Sequence, residues 1–216
     1  MNFGNLKILK KQCFDLIADL TRNTRNPDQQ GIPAKAGMTK RRFEAAFKKA
    51  LLERQNHLKN LIEPQQKILD KALKNNELTF IVAGRPYHTD PLIQQKVGQI
   101  LSDLGAHALT DDVFRRRNIA CNVPTKGFEN LNLVSQWSYP NRVIQTALEV
   151  AKLPQNVQMV QLNSFGCGPD SFFLEETGEI LKSAGKNHTV LRIDEIASPG
   201  SIRLRLRSLI ESLKAN

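Results

Sequence analysis

The chain has 216 residues, 40% hydrophobic and 24% charged, proportions of an ordinary globular protein able to bury one good core and a small satellite. A disordered, collagen-like or membrane-spanning chain is excluded: no run of about 18 apolar residues occurs, and the amino terminus MNFGNLKILKKQCFDLIADL breaks its apolar residues with Lys and Asp, unlike a signal peptide, so a cytoplasmic protein is expected. The net charge of +10 is gathered at one end, with sixteen Lys/Arg against eight Asp/Glu in residues 1 to 78 and fifteen against thirteen thereafter; lacking interleaved aromatic platforms, this reads as a solvated or domain-docking helix surface rather than a nucleic-acid surface.

In chain order, Leu6, Leu9, Cys13, Ile17 and Leu20 recur at helical spacing, which places Cys13 as a small core residue of a first helix. The segment between Thr24 and Met38, with two prolines and two glycines, reads as an exposed loop. Thr39 is a candidate N-cap for a long amphipathic helix traced by Phe43, Phe47, Leu51, Arg54, Leu58, Leu61 and Ile62, and Pro64 is expected to kink or restart it.

From about Leu78 strands and helices alternate. LTFIVAG, AHALT, VQMVQLN and HTVLRID read as strands; PLIQQKVGQILSDLG, PNRVIQTALEVAKL and SFFLEETGEILKSAG read as helices, with prolines near two starts and glycines at two ends. In the last segment IRLRLR alternates like a strand, yet Ile202, Leu206, Leu209 and Leu213 keep helical spacing, so a helix is expected. The predicted fold is α/β, a mostly parallel sheet with helices on both faces, over residues 78–216, preceded by a helical extension over residues 1–77 with a loop near 24–38.

In such a fold ligands gather beyond the carboxyl ends of the strands. Two segments stand there: GRPYHTDP, Gly84 to Pro91, after the first strand, and NSFGCGPDS, Asn163 to Ser171, after VQMVQLN. In the second, Gly166 and Gly168 remove bulk on both sides of Cys167, and the amides opening the next helix favour a thiolate. A thiolate there is a nucleophile or a metal ligand, the third reading being a tight turn around an inert buried thiol. A cysteine phosphatase needs an Arg six residues on, where Phe173 stands, and G-x-C-x-G is absent; a Cys167–His88 pair stays open. Three cysteines, Cys13, Cys121 and Cys167, with no CxxC, argue against both a disulfide scaffold and a complete zinc site.

Taken in order, VAGRPYHTDPLI, QWSYPNRVIQTA, VQLNSFGCGPDS, TVLRIDE and IRLRLRSLI resemble the carboxyl-terminal part of the acyl-CoA dehydratase activase-related proteins. These are relatives of the 2-hydroxyacyl-CoA dehydratases and the double-cubane iron–sulfur cluster reductases. The resemblance runs from about Ala50 to Leu213. It implies α/β lobes that hold an iron–sulfur cluster of the 4Fe-4S type through cysteines, in an electron-transfer or reductase system fed with low-potential electrons by an ATP-hydrolysing activator. Cys167 then becomes a cluster ligand, Gly166 and Gly168 admit the cluster, and Asp170 caps the following helix. Gly84, Arg85, Tyr87 and His88 line the same crevice, with Arg85 facing an anionic cluster or a substrate carboxylate or phosphate. Cys121, in RRRNIACNVPTKGF, is a second ligand or an exposed thiol.

The departures matter equally. There is no G-x-x-x-x-G-K-S/T loop, so ATP hydrolysis is expected of a partner activator domain or subunit. Four thiolates usually hold a 4Fe-4S cluster, so the resemblance further implies a second chain bearing the missing ligands, with an acyl-CoA or small molecule as substrate. Two readings outside the cluster class remain: a cluster-free scaffold docking on partner subunits, and a thiol enzyme using Cys167 and His88. Trp137 and Tyr139 are expected to pack the start of their helix, His57 to face water, His107 to be structural, His188 to stand in a turn, and Arg203 and Arg207 to share a solvated helix face.

Overall fold

A computed structural model describes residues 6–23, 39–115, 138–164, 166, 168–193 and 199–214. The described residues fall into two compact units that divide after Asn60.

In the first unit, α1 (Leu6–Asn23) and the beginning of α2 (Lys40–Lys74) meet through Phe14 and Phe43, whose rings lie edge to face at 5.2 Å, with Phe47 stacked on Phe43 at 5.6 Å. Lys10 and Glu44 add an exposed ion pair at 3.1 Å. Leu9, Cys13 and Ile17 are half-buried, so Cys13 sits on the packed stripe that its spacing predicts. Thr39 is the N-cap: the Arg42 amide donates to Thr39 Oγ1 at 3.3 Å. Pro64 neither ends nor restarts α2, which runs unbroken from Lys40 to Lys74. Beside the hydrogen bond that proline removes, the Gln65 side-chain amide donates to the Leu61 carbonyl at 3.1 Å, and Ile62 and Leu69 on either side are buried. Apolar anchoring on both flanks outweighs the local cost of a proline.

The second unit is built on four parallel strands, β1 (Thr79–Ala83), β2 (His107–Thr110), β3 (Val157–Ser164) and β4 (His188–Ile193), in the order β2-β1-β3-β4. Between them run α3 (Val97–Asp103), α4 (Ser138–Ala151) and α5 (Gly168–Ser183), and α6 (Pro199–Lys214) follows β4. Strand alternation sorts the core into two layers. Ile81, Ala83, Leu109, Val157 and Met159 pack with Leu69 of α2, Val143, Ala147 and Val150 of α4 and Leu181 of α5. Phe80, Val160, Leu162 and Leu191 pack with Val97 and Leu101 of α3 and Ile202, Leu206 and Ile210 of α6. The expected α/β architecture, with helices on both faces, is therefore observed. The register pairs Ile81 with Leu109 and with Met159, and Leu162 with Leu191, so the residues of one layer meet across neighbouring strands.

Three expected boundaries shift. The segment from Pro91 does not run as one helix to Gly105: the Asp90 carboxylate accepts the Leu92 and Ile93 amides at 2.8 and 3.2 Å, but Gln95 and Lys96 adopt left-handed φ of 53° and 60°, so α3 begins only at Val97. Helix α5 begins at Gly168, earlier than Ser171. His188 is the first residue of β4 rather than a turn residue, and its Nε2 meets Gln161 Oε1 at 2.9 Å. The ambiguous IRLRLR is helical: Ile202 and Leu206 are buried while Leu204, which an alternating strand would place on their side, is 67% exposed.

Candidate functional site

From β1 the chain crosses to β2 on one side and returns to β3 on the other, so the segments leaving β1 and β3 part at a topological switch point. GRPYH and the residues after Asn163 meet there, as their positions in the sequence imply.

Gly84 ends β1 because no side chain fits. A Cβ there would lie 2.6 Å from His88 Nδ1 and 3.1 Å from both the Cβ and the carbonyl oxygen of Leu162. Its role is thus packing, the close approach of the His88 ring to the backbone, rather than a cradle. Pro86 to Thr89 form one 3-10 turn that folds the ring back onto β1. The Arg85 amide donates to His88 Nδ1 at 3.0 Å, which puts the ring proton on Nε2, and Nε2 reaches Ser164 Oγ at 3.2 Å. Ser164 Oγ also bonds the Tyr87 hydroxyl at 2.8 Å. Burial holds His88 below the usual imidazole range, against the pull of the Asp170 carboxylate, and the ring is neutral.

Arg85 spans the switch point. Its Nε and Nη2 donate to Asp170 Oδ1 at 2.9 and 2.7 Å, and Asp170 Oδ2 accepts the Ser164 amide at 3.4 Å. Asp170 is therefore not the N-cap that the sequence suggests. It is the third residue of α5, 8% exposed, where a carboxylate also favours the helix dipole. Gly166 has φ of +71°, which only glycine adopts without strain, and a Cβ at Gly166 or Gly168 would touch nothing within 4 Å. Cys167 itself, Cys121 and Trp137 lie outside the described residues. Tyr139, expected to pack the start of α4, is 46% exposed and borders a small recess with Arg85, Asp170 and Phe173.

The sequence reading passes over a second cluster, just beyond β2. Asp111 and Asp112 open a 3-10 turn, and Arg142 of α4 donates through Nη2 to Asp111 Oδ1 at 2.6 Å and lies 2.8 Å from Asp112 Oδ1; Arg115 adds a weaker contact to Asp112 Oδ1 at 3.4 Å. Asp111 is 4% exposed, and burial, outweighing Arg142, pushes its carboxyl up to about 6. Asp111 Oδ2 and Arg142 Nε are buried with no hydrogen-bond partner among the described residues. Gln65 of α2 fixes this corner by accepting the Thr110 amide and hydroxyl at 2.8 and 3.1 Å. The signal was present: TDD follows a strand just as GRPYH does.

Between the two clusters lies a cavity of about 90 Å³, lined among others by Gly84, His88, Gly98, Asp111, Arg142 and Leu162. Among the described residues no group of three or more His, Cys, Asp or Glu is placed to hold a metal ion, and no helix is long and apolar enough to cross a membrane. Elsewhere, His107 Nε2 pairs with Glu77 at 2.7 Å, His57 is exposed, and Arg207 faces water while Arg203 lies 3.8 Å from Asp103 in an exposed pair.

The architecture is that of a parallel α/β domain with a polar crevice at its switch point. The family model described as CoA enzyme activase uncharacterised domain (DUF2229) matches residues 2–114, more than half of the chain, and the protein belongs to this family. The match takes in GRPYH and the Asp111–Asp112 pair and stops before the segment around Cys167, whereas the resemblance read from the sequence runs on to Leu213. No curated protein and no solved structure matches the chain.

Proposed function

We propose that this domain is the cluster-bearing component of an ATP-driven, low-potential electron-transfer or reductase system of the 2-hydroxyacyl-CoA dehydratase and activase type. Family membership supports an association with CoA enzyme activases. The observation that supports the finer reading is the place of Gly166 and Gly168, on either side of Cys167 in the sequence, at the switch point, where a Cβ on either would meet nothing within 4 Å among the described residues.

Fit to an iron–sulfur cluster is partial. Cys167 supplies one thiolate, Cys121 a possible second, and Cys13 lies in the other unit on the packed stripe of α1. With four thiolates the usual requirement, the remaining ligands belong to a partner chain, and an ATPase activator is the electron source. When bound, the cluster supplies one-electron chemistry. This chain's own part is to hold the approach: Ser164, Tyr87 and neutral His88 form a hydrogen-bonded wall, and Arg85, bound to Asp170, fixes the β1 segment against the start of α5. The same geometry weighs against a Cys167–His88 thiol enzyme, because both His88 ring nitrogens already have partners.

The test is iron and acid-labile sulfide content, with a visible spectrum, on anaerobically reconstituted protein and its Cys167→Ser variant. Colour that bleaches in the variant is expected. A colourless, iron-free wild type, also after mixing with a candidate partner, overturns the cluster reading in favour of a cluster-free scaffold.

A further inference from the structure

The sheet ends in two edges, and its hydrogen bonds fix which main-chain groups each edge leaves over. The Thr79 amide donates to the Asn156 carbonyl at 2.8 Å while Thr79 stands beside Val157 in the register, so Val157, Met159, Gln161 and Asn163 turn their main chain away from β1 and towards β4. With Met159 opposite His188 and Gln161 opposite Val190, it is Thr189, Leu191 and Ile193 that complete this ladder. The amides and carbonyls of His188, Val190 and Arg192 point out of the sheet. Among the described residues one of these groups has a partner: the Val190 carbonyl accepts from Arg205 Nη2 of α6 at 3.3 Å. The opposite edge is shorter and better covered. There the His107 amide donates to the Leu78 carbonyl, which leaves Ala108 and Thr110 outward, and Gln65 takes the Thr110 amide.

The charge around the β4 edge has one sign. Side chains alternate across a strand: Leu191 packs against α6, and His188 lies against Gly178 of α5, where a Cβ would come within 2.9 Å of its Nδ1. Arg192 therefore stands on the α5 side of the edge and Arg205 on the α6 side. Both are exposed, and among the described residues neither has a carboxylate partner.

From these observations we propose that the β4 edge takes up an extended, acid-bearing segment of a partner protein as a fifth strand, its main chain pairing with His188, Val190 and Arg192 and carboxylates on its two faces meeting Arg192 and Arg205. A second copy of this chain is the poorer occupant, because edge-to-edge pairing gathers the arginines of both copies on one short ladder, where like charges destabilise. Cys167 takes no part, so the inference stands or falls apart from the cluster reading.

Amide hydrogen exchange followed by NMR on the full chain tests it, with the peptide acetyl-Thr-Val-Asp-Glu-Val-Thr-amide as probe, whose adjacent acids fall on opposite faces of a strand. In the free protein the Thr189, Leu191 and Ile193 amides are expected to exchange slowly and those of His188, Val190 and Arg192 fast; at saturating peptide the Val190 and Arg192 amides become slow. A Lys-Lys peptide in place of Asp-Glu, and the Asp-Glu peptide N-methylated at both acids, are expected to bind roughly tenfold more weakly, for want of two cross-strand charge pairs or of main-chain bonds. Val190→Pro removes an outward amide and leaves the ladder to β3, a change an edge strand tolerates, and is expected to lose the peptide while Thr189 and Leu191 stay protected. Arg192→Glu with Arg205→Glu, both at the surface, is expected to reverse the preference between the two peptides and serves if the proline variant does not fold. Slow exchange of Val190 and Arg192 in the free protein overturns the proposal, whether it persists on dilution or fades because a second copy holds the edge. So does a peptide that protects neither amide, or binding that N-methylation or the charge reversal leaves unchanged.

Discussion

Replacing Arg142 with methionine keeps most of the side-chain volume and removes the charge that faces Asp111 at 2.6 Å and Asp112 at 2.8 Å. Asp111 is 4% exposed, so its carboxylate is left as a largely desolvated, uncompensated charge, a loss of about 3–5 kcal/mol. The pH dependence follows from the direction of the Asp111 shift. Its carboxyl is raised from 3.8 to about 6 in the folded protein, so the folded state binds more protons than the unfolded state across that interval. Stability therefore declines as pH rises through it, by about 1.4 kcal/mol per pH unit and about 3 kcal/mol in all. Without Arg142 the folded value rises further, and the decline continues past pH 6. At pH 5 Asp111 is protonated in folded wild type and variant alike, and the gap between them shrinks to the lost hydrogen bonds and the lost contact with Asp112, which keeps Arg115 at 3.4 Å, about 1–2 kcal/mol. At pH 8 it reaches the full 3–5 kcal/mol. Urea unfolding at the two pH values measures both gaps, and Asp111→Asn combined with Arg142→Met is expected to recover most of the loss at pH 8. A gap that is the same at pH 5 and pH 8, or below about 1 kcal/mol at both, refutes the assignment of Arg142 as the counter-charge.

Gly84→Ala forces a methyl to within 2.6 Å of His88 Nδ1 and 3.1 Å of the Leu162 backbone; an overpacking loss of about 1–3 kcal/mol is expected as a lower urea midpoint. His88 is depressed below 6.5 by burial, so its stabilising contribution is complete above the unfolded value and is lost as pH falls through the folded one. NMR titration should give a His88 midpoint below 6.5, with the neutral ring protonated on Nε2; a midpoint above 6.5 contradicts the geometry. Leu206→Ala should cost about 2–5 kcal/mol and Leu204→Asp under about 0.5 kcal/mol, since the first is fully buried and the second 67% exposed; equal losses would mean that IRLRLR is not helical.

Where one period dominated, the sequence was readable. The four strands are apolar runs bounded by Gly, Asn or Asp, and α6 was decided by Ile202, Leu206 and Leu209 against an alternating RLRLR, the correct weighting because a sheet-facing helix needs only one stripe. The short α3 was not readable, since nothing in PLIQQKV announces left-handed backbone at Gln95 and Lys96; what shapes the turn is the Asp90 carboxylate accepting two amides. Pro64 misled for a related reason: local propensity points to a break, and the burial of Ile62 and Leu69 overrides it. At the site, motif reading found GRPYH but not its partners. The family resemblance made Asp170 a helix cap, while its ion pair with Arg85 spans 85 residues of sequence and becomes visible only when β1 and β3 lie side by side. Asp111 and Arg142 are hidden in the same way by the crossing from β2 through α4.

These long-range pairs bear on what the crevice can accept. Arg85 was expected to face an anion, yet its guanidinium meets Asp170 through two nitrogens at 2.9 and 2.7 Å. An anionic group that drew Arg85 away from Asp170 would leave Asp170 with the Ser164 amide at 3.4 Å among the described residues. Losing one partner of a half-buried pair joined by two hydrogen bonds to one carboxylate oxygen costs more than an exposed salt bridge returns, so binding there and movement of the β1 segment against α5 are linked. Asp170→Asn separates the two roles: it weakens the tether and leaves Arg85 with a neutral partner. If the proposed cluster is held here and Arg85 serves it, reconstituted Asp170→Asn protein should retain iron at least as well as wild type while unfolding at lower urea. If the pair only braces the fold, both stability and iron retention should fall together, and the role of Arg85 toward an anion is refuted.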